Sequence, residues 1–193
     1  MRWRLVKRYR AWWCAACLGL LLAACATPQK VAGGAAGAFD RTGRFSLNVT
    51  DNTGQPQAVQ GGFAWSDDGR ELQLDLANPL GSTLARVEVT PDHATLTRAN
   101  GTQKQARDPD ALVELVLGSP MPVAGLRDWL RGQTGRQSVQ GLEKNKAGQP
   151  EHFTQNGWKV ELSRYDALGP RLLQLNHSQA DRRISVRLVI DSD

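Results

Sequence analysis

Residues 184–190, ISVRLVI, carry the clearest folding signal in the chain. Large apolar side chains occupy every second position, at Ile184, Val186, Leu188 and Ile190. In an extended strand, successive side chains point to opposite faces, so this period of two places the apolar residues on one face. The stretch therefore predicts a half-buried β-strand.

The same period of two recurs upstream. Its apolar positions are Phe45, Leu47 and Val49; Phe63 and Trp65; Leu72, Leu74 and Leu76; Val87 and Val89; Ala94 and Leu96; Trp158, Val160 and Leu162; and Leu173 and Leu175. A further strand is expected at residues 152–154, and turn signals such as Asn100-Gly101 and Asn156-Gly157 separate several segments. The pattern predicts a mainly β fold, a single strongly curved antiparallel sheet of about 9–11 strands in consecutive order, which curls toward a barrel.

The middle of the chain has the pattern of two short helices. Asp108 is a suitable N-cap for a helix that begins at Pro109 and ends before Gly118. A second helix is expected from about Val123 to Arg131, with Gly132 ending it. The apolar faces expected for the two helices consist of Leu112, Leu115 and Val116, and of Leu126, Trp129 and Leu130.

The first residues have the layout of an export signal. Five basic residues and no acidic one precede an uncharged, mostly apolar run at 11–22, which is shorter than the roughly 20 residues of a membrane-spanning helix. The following Leu22-Ala23-Ala24-Cys25 resembles a bacterial lipobox. We expect a lipoprotein signal peptide at 1–24, a lipidated Cys25 with a flexible tether at 25–38, and one domain at 39–193.

Charge and cysteine content exclude several classes of function once residues 1–24 are set aside. Five of the 24 basic residues lie in that leader, so the remaining 19 balance the 19 acidic ones, and the basic surface typical of nucleic-acid binding is not expected. Two of the three cysteines also lie in the leader and Cys25 is taken by lipid. The domain is expected to fold without disulfides.

No catalytic constellation is evident. His93, His152 and His177 lie far apart and are expected at turns or on the surface, and no Gly-x-Ser-x-Gly motif or free thiol supplies a nucleophile. We therefore expect neither an enzyme nor a metal site, and no cofactor apart from the lipid on Cys25.

The segment Asn78-Pro79-Leu80-Gly81-Ser82-Thr83 predicts a turn between two strands, because proline cannot donate to a ladder and glycine permits unusual backbone angles. Two interpretations of Leu80 remain open. The side chain either folds back under the sheet or projects from the turn into lipid.

Several motifs resemble the LolB family of outer-membrane lipoprotein receptors from Gram-negative bacteria, in the order found there. They are the lipobox, Gly43-Arg44-Phe45, Phe63-Ala64-Trp65, Asn78-Pro79-Leu80-Gly81-Ser82-Thr83, Pro120-Met121-Pro122-Val123, Leu126-Arg127-Asp128-Trp129-Leu130-Arg131-Gly132 and Gln155-Asn156-Gly157-Trp158-Lys159-Val160. The resemblance covers about residues 39–190.

The resemblance implies an incomplete antiparallel barrel with short helices as a lid over an apolar cavity for acyl chains. It also implies that the protein accepts triacylated lipoproteins from the periplasmic chaperone LolA and inserts them into the inner leaflet of the outer membrane, among its phospholipids. Leu80 matches the protruding leucine that promotes release. The expected cavity lining is Phe63, Trp65, Leu72, Leu74, Leu76, Leu115, Leu126 and Trp129.

Alternatives remain open at this point. The same apolar residues also suit a filled core, in which case the protein is a non-enzymatic scaffold or assembly lipoprotein with a protein partner. Arg86, Arg98 and Arg127 are candidate docking residues for the chaperone, although ordinary solvated charges explain them equally well. Ala26 after the lipidated cysteine suggests an outer-membrane location facing the periplasm, and we expect a monomer.

Overall fold

The computed structural model describes residues 38–51 and 56–192. This part of the chain contains eleven strands and two helices. The strands are β1 (Phe39–Asp51), β2 (Pro56–Asp67), β3 (Leu72–Ala77), β4 (Thr83–Val89), β5 (Ala94–Arg98), β6 (Gln103–Ala106), β7 (Gln140–Lys144), β8 (Pro150–Gln155), β9 (Trp158–Tyr165), β10 (Pro170–Ser178) and β11 (Arg182–Ile190). The helices are α1 (Pro109–Leu117) and α2 (Val123–Trp129). The predicted signal peptide, Cys25 and almost all of the tether lie outside the described residues.

All eleven strands form one antiparallel sheet in the order β6-β5-β4-β3-β2-β1-β11-β10-β9-β8-β7. Apart from β6 and β7, strands that are neighbours in sequence pair with each other. The first and last strands pair in the middle of the sheet, where Gly43 faces Ile190 and Asp51 faces Arg182. β6 and β7 are the two edges, so the barrel is not closed, and both helices belong to the segment that connects these edges. The predicted curved antiparallel sheet is confirmed.

The strands missing from the sequence prediction are the edge strands β6 and β7. Every residue of β7 is exposed and β6 is exposed except for its last residue, so neither strand has an apolar face that would produce a period of two. The register of β7 with β8 also shifts twice between Gln140 and Lys144. Such irregular, polar edges disfavour pairing with other chains.

Two inward-facing glycines give two phenylalanine rings room in the middle of the sheet. Gly43 of β1 lies opposite Phe63 of β2, and Gly61 of β2 lies opposite Phe45 of β1. A Cβ atom at Gly43 would clash with the carbonyl oxygen of Val189 and the ring of Phe63, and one at Gly61 would clash with the Ala77 carbonyl oxygen and the ring of Phe45. Each ring therefore covers the glycine of the neighbouring strand, a pairing that accompanies sharply bent sheets.

The core lies on the concave side of the sheet and beneath the helices. Alternate residues of the central strands are buried there, including Leu47 of β1, Leu173 of β10 and Val186 of β11. The helices add their own apolar side chains to the same cluster. The period of two in the sequence thus marks the face of the sheet that packs against α1 and α2.

The limits of α1 agree with the prediction. The Asp108 side chain accepts a hydrogen bond from the Asp110 N–H, and Gly118 ends the helix in a left-handed conformation with φ 72°. Helix α2 ends at Trp129, two residues earlier than predicted, since the chain then tightens into a turn that ends at Gly132. Pro122 supplies no side-chain cap for α2. Instead, Asp110 of α1 accepts a hydrogen bond from the Ala124 N–H at 3.0 Å, which joins the two helices.

Candidate functional site

An apolar void lies between the concave face of the sheet and helix α2. Its volume is about 10 Å³. Its lining combines sheet residues with residues of α2 and its flanks: Phe45, Phe63, Trp65, Leu74, Leu76, Leu188, Met121, Leu126 and Leu130. All of these side chains are buried.

The void is much smaller than the predicted cavity. A volume of roughly 10–15 Å³ is needed to hold one water molecule, so the interior in this arrangement has no space for an acyl chain. The interior is small because Met121, Leu126 and Leu130 pack against the concave face of the sheet and fill the space that an open barrel would enclose. The expectation of an apolar cavity is corrected to a closely packed apolar interior with a small void.

Five of the eight predicted lining residues surround this void: Phe63, Trp65, Leu74, Leu76 and Leu126. Leu72 and Trp129 are buried in the same core but do not line the void. The prediction for Leu115 is wrong: its side chain is 47% exposed. The buried face of α1 is formed by Leu112, Val113 and Leu117, and the 100° turn per residue of a helix carries position 115 away from that face.

Helix α2 is attached to the sheet by a buried carboxylate. Asp67, at the end of β2, is 2% exposed. Arg127 donates to its two oxygens, with Nε 2.9 Å from Oδ2 and Nη2 2.7 Å from Oδ1. Arg131 Nη2 donates to Asp67 Oδ2 at 3.1 Å, and its guanidinium lies 4.1 Å from the centre of the Phe39 ring. The two arginines and the carboxylate fasten α2 to the end of the sheet where β2 terminates.

These contacts hold Asp67 in its charged form. Burial alone would raise the pKa of its carboxyl group, but hydrogen bonds from Arg127, from the Gly69 N–H and from Arg131 outweigh burial and lower it. The hydrogen bond to Asp67 in turn raises the pKa of Arg127. The ion pair therefore persists over the whole neutral range.

A second attachment joins α2 to β8. Trp129 Nε1 donates to Gln155 Oε1 at 2.8 Å, and the Gln155 amide donates to the carbonyl oxygens of Thr134 and Gln137. The Trp129 ring also meets Phe153 edge to face, with 6.0 Å between ring centres. The single polar side chain of Gln155 thus connects α2, the following loop and the sheet.

The turn between β3 and β4 presents Leu80 to solvent. The Asn78 side chain accepts hydrogen bonds from the N–H groups of Leu80 at 2.9 Å and Ser82 at 3.0 Å, and Gly81 adopts φ 87°. Leu80 itself is 92% exposed. The side chain thus projects from the turn and does not fold back under the sheet, while its contact with lipid stays a prediction.

The Leu80 turn and the Asp67 attachment lie at opposite ends of the sheet. Phe39, at the start of β1, pairs with Asp67, at the end of β2. From there β3 runs back along β2, and its far end leads into the Leu80 turn. The chain therefore enters β1 at the end remote from Leu80.

The three arginines considered for docking all have partners within the chain. Arg86 pairs with Asp75 at 2.6 Å, Arg127 pairs with Asp67, and Arg98 Nη2 donates to the Leu115 carbonyl oxygen at 2.7 Å. Each of these arginines thus has a partner within the chain, and a role in docking stays a prediction.

Within residues 38–51 and 56–192, no group of three or more His, Cys, Asp or Glu side chains is arranged to hold a metal ion. None of the helices in this part is long and apolar enough to cross a membrane.

The model of one protein family, the outer membrane lipoprotein LolB, matches residues 37–192. The chain belongs to the LolB family. Relatives named outer-membrane lipoprotein LolB include that of Bordetella petrii, which is 57% identical over 92% of this chain and 90% of its own length. The LolB of Bordetella pertussis is 54% identical over 90% of this chain and 87% of its own length, and that of Cupriavidus necator is 41% identical over 91% and 93%. A solved LolA superfamily protein from Nitrosomonas europaea covers 80% of this chain and 84% of its own, with TM-score 0.43 and 7% identity.

The polar residues that attach the helices in this LolB-family chain were not predicted from the sequence. Asp67 follows Phe63 and Trp65 on the inward phase of β2, and Gln155 follows Phe153 on the inward phase of β8. A polar residue on an otherwise apolar phase needs a partner when it is buried. That signal was available, although it does not identify the partner.

Proposed function

We propose that this LolB-family protein receives lipoproteins from the chaperone LolA, shelters their acyl chains in its apolar interior and releases them into the outer membrane. The concave face of the sheet beneath α2 is the observation that supports this role most directly, because every side chain that lines the void between them is hydrophobic. The proposed work consists of binding and transfer, and no bond is made or broken.

The energetic demand on such a carrier is large. Each exposed CH₂ costs about 0.8 kcal/mol in water, so three long acyl chains cost tens of kcal/mol if they are left unshielded. Transfer without an external energy source then requires that the chains bind more tightly to this protein than to the chaperone, and more tightly still to the bilayer. This protein must therefore bind acyl chains with an affinity between that of the chaperone and that of the bilayer.

Helix α2 must move when a chain enters, because the present void holds no more than a water molecule. Its apolar contacts with the sheet are replaceable by contacts with acyl chain at little net cost. The ion pairs of Asp67 and the Trp129–Gln155 hydrogen bond do not involve the void. In this proposal they stay in place and act as a hinge for the movement of the helix.

Leu80 serves in this proposal as the contact with the bilayer during release. A fully buried leucine contributes about 1.5–3 kcal/mol, which is too little to anchor the protein but enough to favour a local exit step. Placement at the membrane is assigned to the lipid that we expect on Cys25.

A transfer assay tests the proposal. A radiolabelled triacylated lipoprotein is presented as its LolA complex to the full chain, and liposomes are then added. We expect label to pass first to this protein and then to the liposome fraction. Label that stays with LolA in the presence of excess protein contradicts the proposal.

A scaffold function is the second candidate, and the closely packed interior is the observation that favours it. It predicts that organic extraction of the purified protein yields no acyl lipid and that apolar probes do not bind. Extractable lipid or saturable probe binding in the interior contradicts the scaffold function and supports transfer.

A further inference from the structure

The indole N–H of Trp65 has no hydrogen-bond acceptor. Among the described residues, four buried side-chain atoms lack a partner: Arg41 Nε, Trp65 Nε1, Ser119 Oγ and Arg171 Nε. The two arginines make other hydrogen bonds through their remaining nitrogens, whereas the indole nitrogen is the only polar atom of Trp65. Of the four residues, only Trp65 lines the apolar void.

The contrast with Trp129 shows that the same core can satisfy an indole. Both tryptophans are buried, and they belong to one apolar cluster. Trp129 Nε1 donates to Gln155 at 2.8 Å, while Trp65 Nε1 donates to none of the described residues. A buried donor without an acceptor costs about 1–3 kcal/mol, so a bound molecule that brings an acceptor to this N–H would gain a hydrogen bond that the protein alone does not make.

The residues around the Trp65 indole N–H limit the kind of acceptor that can reach it. The other residues that line the void are phenylalanine, leucine and methionine, which carry no strong side-chain acceptor. An acceptor must therefore arrive on a molecule that is itself mostly apolar. The acyl chains of a lipoprotein bring such groups with them, because each chain ends in an ester or amide carbonyl.

We propose that the Trp65 indole N–H donates a hydrogen bond to an acyl carbonyl of the lipid that occupies this interior. This inference rests on the proposed function. It adds a residue that recognises the ester or amide carbonyl of the lipid rather than its hydrocarbon. Trp65 faces Arg41 in the register of β1 and β2, two residues from Asp67. The carbonyl then lies at the end of the interior that carries Asp67 and its two arginines, and the hydrocarbon extends toward the middle of the sheet.

The test compares two probes of similar length, methyl laurate, which has an ester carbonyl, and tetradecane, which has none. Both are delivered from cyclodextrin to the full chain carrying Cys25→Ala, and binding is followed by displacement of a fluorescent apolar dye. We expect Trp65→Phe to weaken binding of methyl laurate by about 3- to 10-fold, the worth of one net hydrogen bond, and to change tetradecane binding by less than about 2-fold.

Trp129→Phe is the matched control, because it removes an indole N–H that already has an acceptor. It is expected to lower stability and to affect both probes equally. An equal effect of Trp65→Phe on both probes overturns the inference while leaving the proposed function intact. If the protein binds neither probe, the proposed function fails and the inference fails with it.

A second measurement observes the unaltered Trp65 side chain and uses Trp65→Phe only to assign its resonance. In ¹⁵N–¹H spectra of the otherwise unaltered Cys25→Ala protein, the indole N–H resonance that disappears in Trp65→Phe belongs to Trp65. We expect methyl laurate to move this resonance downfield and tetradecane to leave its hydrogen-bonding state unchanged. A resonance that responds equally to both probes contradicts the hydrogen bond.

Discussion

Two turns at opposite ends of the sheet expose a leucine in almost the same way. Asn78 binds the N–H groups of the Leu80 turn, and Asp166 binds those of Leu168 and Gly169 in the turn between β9 and β10. Leu80 is 92% exposed and Leu168 is 49% exposed. The resemblance of the two turns makes Leu168 a control for any effect attributed to exposure alone.

Leu80→Glu is expected to abolish insertion of lipoproteins into liposomes while leaving the unfolding free energy and acyl-probe binding unchanged, since the side chain contacts solvent and a charge opposes entry into lipid. The Leu168→Glu variant is expected to insert lipoproteins into liposomes as the unaltered protein does. The measurement is transfer of labelled lipoprotein to liposomes, together with urea denaturation of each variant. Normal insertion by Leu80→Glu contradicts the proposed role of this turn.

Adjacent glycines in β2 should respond very differently to the same substitution. At Gly61 a Cβ would clash with the Ala77 carbonyl oxygen and the Phe45 ring, whereas at Gly62 the nearest atom would be 3.6 Å away. We expect Gly61→Ala to lower the free energy of unfolding by about 2–3 kcal/mol, in the range for overpacked cores, and Gly62→Ala to change it by less than about 0.5 kcal/mol. Urea denaturation of both variants measures the difference, and equal stabilities contradict the close packing of Phe45 on Gly61.

At the scale of single residues, the sequence predicted local backbone structure more successfully than contacts between distant side chains. The order Asn-Pro-Leu-Gly was enough to predict the turn, because each residue has a local backbone preference. The partners of Asp67 were not predictable, because Arg127 and Arg131 lie 60 and 64 residues away in sequence and reach it only through the fold.

At the scale of elements, the attachment of α2 depends on ionisation. The pKa of Asp67 is lowered in the folded protein, so the ion pair stabilises the fold fully above the carboxyl pKa of the unfolded chain, near 3.9, and this contribution is lost as the pH falls through that value toward the folded one. Asp166 behaves in the same way, because hydrogen bonds from Arg41 hold its pKa well below the usual range. Acid should therefore loosen both contacts.

Asp67→Asn is expected to lower the free energy of unfolding at pH 7 by about 3 kcal/mol, because two arginines lose a buried carboxylate. The difference from the unaltered protein should begin to shrink below about pH 4, where the carboxyl group of the unfolded chain takes up a proton, and should shrink further as the pH approaches the lowered pKa of the folded protein. Urea denaturation at pH 7, 5 and 3 tests this, with the exposed Asp40→Asn as a control that changes little at any pH. A difference that is independent of pH contradicts an ionic attachment.

Elements with one buried face were predictable and elements without one were not. The period of two identified the central strands because half of their residues enter the core, and α1 was predicted from its cap and terminal glycine. The orientation of α1 was predicted less well, as Leu115 shows. Large apolar residues occupy positions 112, 113, 115, 116 and 117 of this helix, and the sequence alone does not decide which of them face the sheet. The edge strands β6 and β7 depend on hydrogen bonds to one neighbour, a property that leaves no apolar pattern.

At the scale of the whole molecule, the sheet depends on its last strand. β11 lies between β1 and β10 in the centre of the sheet, and Ile184, Val186, Leu188 and Ile190 all enter the core. Consecutive hairpins were expected from the sequence, but nothing local indicates that the two terminal strands pair. This long-range contact was therefore outside the reach of pattern analysis.

A chain that ends after Ser178, without β11, is expected to lose cooperative unfolding altogether, because its two halves then have no common strand. A chain that ends after Asp191 keeps the hydrogen bond from the Asp191 N–H to the Thr42 carbonyl oxygen at 3.0 Å and should unfold like the full chain. Far-ultraviolet circular dichroism during urea denaturation distinguishes the two outcomes. A cooperative transition in the shorter chain contradicts the central role of β11.

The pairing of the first strand with the last also governs when the protein can fold. Contacts between residues so distant in sequence form slowly, and here they cannot form until the final residues have left the ribosome. An emerging chain can thus form local hairpins but not the completed core. The strand order that joins β1 to β11 at the centre of the sheet therefore delays completion of the fold until β11 has been synthesised.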